Sequence, residues 1–234
     1  MATTQASSKR LTKHQLKQDA FTTTIFAARE WITQNLRLAF MVLGGIVAIL
    51  AIVWGINYYR TSQAAQANSL FGQGGVEIRG GNLAAGIISL RKLVDEHSGA
   101  TVAGIACVQL ADAYFQQRTF DDAKKYFQKY IDSYGNDPTM NAAAWSGLAA
   151  IDEQASANAE AAQKFMKAAG FIPKTFQAAE YLRGALRCAF AAKDSALATQ
   201  IFSTLEKDYG PNDQNVRLAR QNMIENKFLE PQVN

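Results

Sequence analysis

Catalytic and metal-binding chemistry needs His, Cys, Asp or Glu in clusters, and this 234-residue chain is poor in the first two. Its histidines, His14 and His97, stand on opposite sides of a long apolar run, so a chain that crosses a bilayer there has no site using both. Its cysteines, Cys107 and Cys188, lie in apolar helical sequence, where a free thiol commonly packs as a small hydrophobe. No glycine-rich phosphate loop, Gly-x-Ser-x-Gly elbow or CxxC pair occurs. The expectation is a non-enzymatic protein with no catalytic residues, no cofactor and no metal. What remains is the chemistry of recognition, which depends on the elements that present the side chains.

Charge separates the chain into two parts. Residues 1–37 carry Lys9, Arg10, Lys13, Lys17, Arg29 and Arg37 against Asp19 and Glu30, which accounts for the whole formal charge of +4. The remainder is neutral and has no basic stripe, so it offers little to a nucleic-acid backbone. The apolar fraction of the whole chain, 48%, supports a packed core.

Leu38 to Tyr58 reads LAFMVLGGIVAILAIVWGINY. As a helix this run is about 31 Å long, the thickness of a bilayer's hydrocarbon core. Trp54, Tyr58 and Tyr59 cluster at one end, as an interfacial belt would. A cleaved signal peptide, for which Ala65 and Ala67 supply an Ala-x-Ala site, usually has an apolar region of only about 7–15 residues. The run is therefore expected to be an uncleaved anchor. Lys and Arg ahead of it place the N-terminus in the cytoplasm and the body on the far side of the inner membrane. Phe21, Ile25, Ala28, Ile32 and Leu36 form a helical stripe expected to lie on the cytoplasmic surface, with Lys13 and Lys17 facing lipid headgroups. The expected domains are a basic tail over 1–37, a transmembrane helix over 38–58, a periplasmic domain over 59–228 and a tail over 229–234.

Beyond the anchor the chain repeats. Residues 106–138, ACVQLADAYFQQRTFDDAKKYFQKYIDSYGNDP, place Ala111 and Ala123 twelve apart, with Tyr114 and Phe127 as bulky partners and Pro138 after the second helix. A second copy has Trp145, Leu148 and Ala149, then Ala161, Phe165 and Ala168, then Pro173. This pattern resembles the tetratricopeptide repeat (TPR), in which small residues sit where two helices of a hairpin cross and an aromatic fills the gap to the next hairpin. Weaker copies place Leu83, Gly86, Leu90 and Leu93 before these two, and Ala198, Phe202 and Leu205 after them. From Ala123 to Ala161 is 38 residues and from Ala161 to Ala198 is 37, above the roughly 34 of the consensus repeat. The fold class expected is all-α: one transmembrane helix, then an α-solenoid of about four hairpins. Val216, Ala219 and Met223 give the segment after residue 212 the apolar side of a C-terminal capping helix. Gly72, Gly74 and Gly75 predict a poorly formed opening helix over 66–79, because each glycine costs about 1 kcal/mol relative to Ala. The cysteines fall two repeats apart and, with about 10 Å per stacked helix, lie beyond disulfide reach.

Solenoids of this kind bind partners on the concave face lined by the first helix of each hairpin. By the repeat register that face should carry Val108, Asp112 and Phe115, then Ala150 and Glu153, then Arg183 and Arg187. Chaperone-binding TPR domains place Lys and Asn here to clamp a carboxylate; Val108 and Asp112 argue against that activity.

The order of parts, basic tail, single anchor and external divergent hairpins, resembles the bacterial membrane-anchored TPR family that includes the ancillary subunit of the SecYEG translocon. The resemblance implies a scaffold or adaptor associated with the translocon, periplasmic chaperones or emerging polypeptides. A subunit of another envelope complex, in cell division, outer-membrane assembly or energy transduction, is the alternative.

Overall fold

The computed structural model describes residues 26 and 28–229, and every regular element among them is helical. The chain divides into two compact units, Met1–Arg60 and Thr61–Asn234. In the first, residues 28–34 are helical and a turn follows at 35, where the Asn35 N–H donates to the Trp31 carbonyl at 2.9 Å. Phe21 and Ile25 of the apolar stripe, and Lys13 and Lys17, lie outside the described residues. Helix α1 (Leu36–Arg79) contains a stretch long and apolar enough to cross a membrane. Its large apolar side chains from Phe40 to Tyr59 are exposed.

The second unit holds the remainder of α1 and then α2 (Leu83–Glu96), α3 (Ala103–Gln116), α4 (Phe120–Ser133), α5 (Pro138–Gln154), α6 (Asn158–Phe171), α7 (Phe176–Ala191), α8 (Ser195–Tyr209) and α9 (Gln214–Glu225). Helix starts are capped from the sequence: Asn82, Asp137, Thr175, Asp194 and Asp213 each accept a backbone N–H from the first turn. Pro138 opens α5, where its missing N–H has no intrahelical partner to lose.

Each first helix ends in the same way. Gly81, Arg118, Ser156, Lys193 and Lys227 all adopt φ between 57° and 83°. In each turn the next residue's N–H donates five residues back, at 2.8–3.0 Å: Asn82 to Glu77, Thr119 to Tyr114, Ala157 to Asp152, Asp194 to Ala189 and Phe228 to Met223. This is the Schellman arrangement, which satisfies carbonyls that a helix end leaves free. The left-handed residues recur at intervals of 37, 38, 37 and 34. By this register α9 stands as a further first helix, and it buries Val216, Ala219 and Met223 fully.

The crossings within hairpins obey a second spacing. Gly74 and Gly86, Ala111 and Ala123, Ala149 and Ala161 are each twelve residues apart, and all four alanines are fully buried. The opening helix expected to be poorly formed is helical through Arg79, which corrects that expectation. A Cβ on Gly74 would come within 2.7 Å of Leu90 Cγ, and one on Gly86 within 2.5 Å of Ile78 Cγ1. The glycines are there because the two helices touch, and that packing offsets their low helix propensity. Between hairpins, Phe127 of α4 lies against Gly147 of α5, whose Cβ would meet the ring at 2.2 Å, and Phe165 of α6 packs on Gly184 of α7. The two contacts stack hairpins into one another across two adjoining cores.

Ala123→Leu or Ala161→Leu should overpack these crossings and destabilise the domain by about 1–3 kcal/mol. Chemical denaturation of each variant measures this, and wild-type stability in both would mean that the crossing register is wrong.

Candidate interaction groove

Because every first helix ends in one turn geometry and packs through one crossing position, the same angular sector of each is left facing outward. On α7 this sector is Phe176, Glu180, Arg183 and Arg187, spaced four, three and four apart. On α5 it includes Ala150 and Glu153, and on α3 it includes Gln109, Asp112 and Gln116, all at least partly accessible.

The expected groove residues fall into distinct situations. Arg187 and Glu153 meet across α5 and α7: Arg187 Nε donates to Glu153 Oε1 at 2.7 Å and Nη2 to Oε2 at 2.8 Å. The paired guanidinium lowers the Glu153 pKa, against its partial burial, and the carboxylate raises that of Arg187. Arg183 Nη1 donates to Glu180 Oε1 at 2.9 Å and to Asn215 Oδ1 of α9 at 3.4 Å. Ala150 is half-buried beside Glu153's helix face. Asp112 stands in a hollow of about 190 Å³ lined by Arg79, Gln109 and Gln116, where desolvation pushes its pKa up to about 6.

Val108 and Phe115 differ from expectation. Val108 is 4% exposed and belongs to the core, although Ser146 and Arg183 at the matching register are partly accessible. A short apolar side chain gains by turning inward, whereas an arginine reaches outward from the same position. Phe115 is half-buried and tilted against Phe120, with ring centroids 5.4 Å apart. The exposed aromatic in this sector is Phe176, 75% accessible at the start of α7. Counting back seven residues from Arg183 along the stripe would have found it. Asn222 of α9 and Asn226, the residue just past its end, join Arg183 and Arg187 around a cleft of about 510 Å³, a placement that depends on α9 keeping the first-helix register.

Among the described residues no group of three His, Cys, Asp or Glu is arranged to hold a metal. Cys107 and Cys188 are buried and form no disulfide, and burial pushes both thiols up to about 11, with a hydrogen bond to Glu153 adding to the rise at Cys188. The groove is equipped for ion pairs and hydrogen bonds.

Repeated helix hairpins stacked with their first helices side by side define an α-solenoid. Residues 29–199 match the tetratricopeptide repeat-like domain family, and the chain belongs to that family. Among solved structures it is similar to a tetratricopeptide repeat protein from Parabacteroides merdae, at 12% identity and a TM-score of 0.58. That likeness covers 70% of this chain and 60% of the other, so the chain spans under two thirds of that protein's length and shares its fold. No curated protein matches the chain significantly. Folds of this type generally serve as scaffolds for protein partners.

Two measurements probe the groove electrostatics. Arg187 is 63% exposed, so a double-mutant cycle on Glu153→Gln and Arg187→Gln should give a coupling of no more than about 1 kcal/mol, and less in high salt. Asp112 has the opposite sign to a stabilising carboxylate: its raised pKa favours the folded state at low pH, and that contribution is lost as pH rises through about 6. Its side chain keeps solvent contact, so the effect is small. Asp112→Asn should flatten the dependence of stability on pH between about 4 and 6 relative to wild type, and an unchanged profile would remove Asp112 as its source.

Proposed function

We propose that this chain is a membrane-anchored, non-enzymatic scaffold that holds protein partners in the groove of its first helices and works beside the Sec translocon with periplasmic chaperones or emerging polypeptides. The observation that carries the scaffold reading is the row of accessible polar side chains that one repeat register brings to the same sector of α3, α5 and α7. Anchoring is supported by the apolar stretch of α1, whose exposed Phe, Leu, Ile, Val and Trp side chains are costly to leave in water and suited to lipid. The basic tail supports a cytoplasmic N-terminus, with 1–37 inside, 38–58 in the inner membrane and 59–228 in the periplasm. Translocon association rests on the order of these parts. Membership of another envelope complex differs from it in the partner alone.

A reporter active only outside the cytoplasm, fused after Asn234, should work, and the same reporter fused ahead of Met1 should not; the reverse pattern overturns the orientation. Purification of the full chain from mild detergent should recover translocon subunits, whereas a stoichiometric set of other membrane proteins would favour the alternative. Ala150→Trp fills the groove and Arg187→Ala removes its exposed guanidinium. Both should release the partner with little change in melting temperature, and full recovery with both in place would move the contact to another surface.

A further inference from the structure

The cleft between α7 and α9 has a chemistry that the scaffold reading leaves unassigned. Its lining includes two guanidinium groups, Arg183 and Arg187, and the carboxamides of Asn222 and Asn226, against one carboxylate, Glu180. Two guanidinium groups and one carboxylate thus line about 510 Å³ of open space, and Glu153, outside that lining, pairs with Arg187. Neither arginine is fully engaged. Arg187 gives Nε and Nη2 to Glu153 and retains Nη1, and its side chain is 63% exposed. Arg183 gives Nη1 to Glu180 and Asn215, while its Nε is buried without a hydrogen-bond partner among the described residues. The Arg183–Glu180 pair is three residues apart on one helix and 31% and 42% exposed, a kind of pair that competing acceptors displace readily.

The same face of α7 carries an unpaired apolar group. Phe176 is 75% exposed and precedes Arg183 by seven residues, about 10.5 Å along the helix axis. An extended chain covers that distance in about three residues.

We propose that this cleft takes an aspartate or glutamate side chain from an extended partner segment, and that an aromatic or large apolar residue three positions from that acid packs on Phe176. The inference rests on the groove being the interaction surface and adds the partner's chemistry. The acid displaces Glu180 from Arg183 and draws the guanidinium toward the cleft, where Nε gains an acceptor; Asn222 supplies a neutral donor opposite. The segment continues past both contacts, so the recognised carboxylate belongs to a side chain within the segment and not to a chain terminus.

The test uses the full-length protein in lipid nanodiscs and a fluorescent twelve-residue peptide blocked at both ends, with one Phe and one Glu three apart on a Ser/Ala background. Fluorescence anisotropy should show at least a tenfold loss of affinity when the peptide's Glu becomes Gln, and a similar loss for Arg183→Gln and for Asn222→Asp. Asn222 is exposed on α9, so the second variant tests the cleft even if Arg183→Gln unfolds, which its melting curve reveals. Phe176→Ala should weaken the Phe peptide and leave a Phe-to-Ala peptide unaffected. Equal binding of the Glu and Gln peptides, binding of neither, or an unaltered Asn222→Asp variant overturns the proposal. If that happens while Ala150→Trp still releases co-purified proteins, the groove reading stands and the acidic segment alone is wrong; if Ala150→Trp releases nothing, both are wrong.

Discussion

Two antiparallel helices approach only as closely as the residues at their crossing allow, and in this solenoid that contact sets the rest. The first three hairpins meet through a small pair twelve residues apart, glycine in the first and alanine in the next two, and in the fourth Leu186 stands opposite Ala198. A small pair brings the backbones together and leaves the larger side chains on either flank no room inside the hairpin. Phe127 and Phe165 are thus displaced toward the following hairpin, where Gly147 and Gly184 receive them, whereas in the first hairpin Gly74 leaves room for Leu90 inside. Small residues inside a hairpin and small residues between hairpins are therefore two halves of one packing arrangement. Filling either half disturbs both, since interiors at crystal-like density have no spare volume.

The turn between the helices fixes direction. Four of the five equivalent left-handed residues are Arg118, Ser156, Lys193 and Lys227, side chains that gain nothing from positive φ. That conformation is held because the paired backbone bonds close the first helix and the crossing then locks the second against it. Where the stacking passes from α8 to α9 the pattern changes. Arg220 takes up the position over the Phe202 ring, 5.4 Å from its centroid, and pairs with Glu206. A cation over an aromatic face replaces the glycine contact seen earlier, and α9 closes the core with a polar outer side.

Features governed by volume were legible in the sequence, and features governed by partners were not. Ala111, Ala123 and Ala161, with Phe127 and Phe165, announce the hairpins because their sizes serve one geometry. Gly74 and Gly86 serve the same geometry, but glycine also lowers helix propensity, and from sequence alone the local penalty is visible while the neighbour that justifies it is not. The groove was legible as a sector and less so residue by residue. Glu153 and Arg187 were expected on that face as separate acidic and basic contributions; their pairing across 34 residues needs the offset of α5 against α7, which a repeat length of 37 or 38 does not fix. Val108 shows the converse, since register places it outward and its own hydrophobicity turns it in.

The charges in the groove largely answer one another before any partner arrives. Glu153 takes Arg187, and Glu180 takes Arg183, so the face carries little net field despite its charged side chains. A surface of this kind steers ligands weakly over long range. On such a surface discrimination operates at contact, where an incoming group must replace an internal partner at least as well as it was satisfied before. Exposed pairs are the right material for that exchange, because their small net worth keeps replacement cheap while a mismatched partner leaves a desolvated charge behind. The pairs differ in reach: Glu180–Arg183 lies within α7, whereas Glu153–Arg187 bridges α5 and α7. Arg187 reaches α5 through Glu153 and Arg183 reaches α9 through Asn215, contacts of small net worth beside the packed crossings that set the spacing of the hairpins.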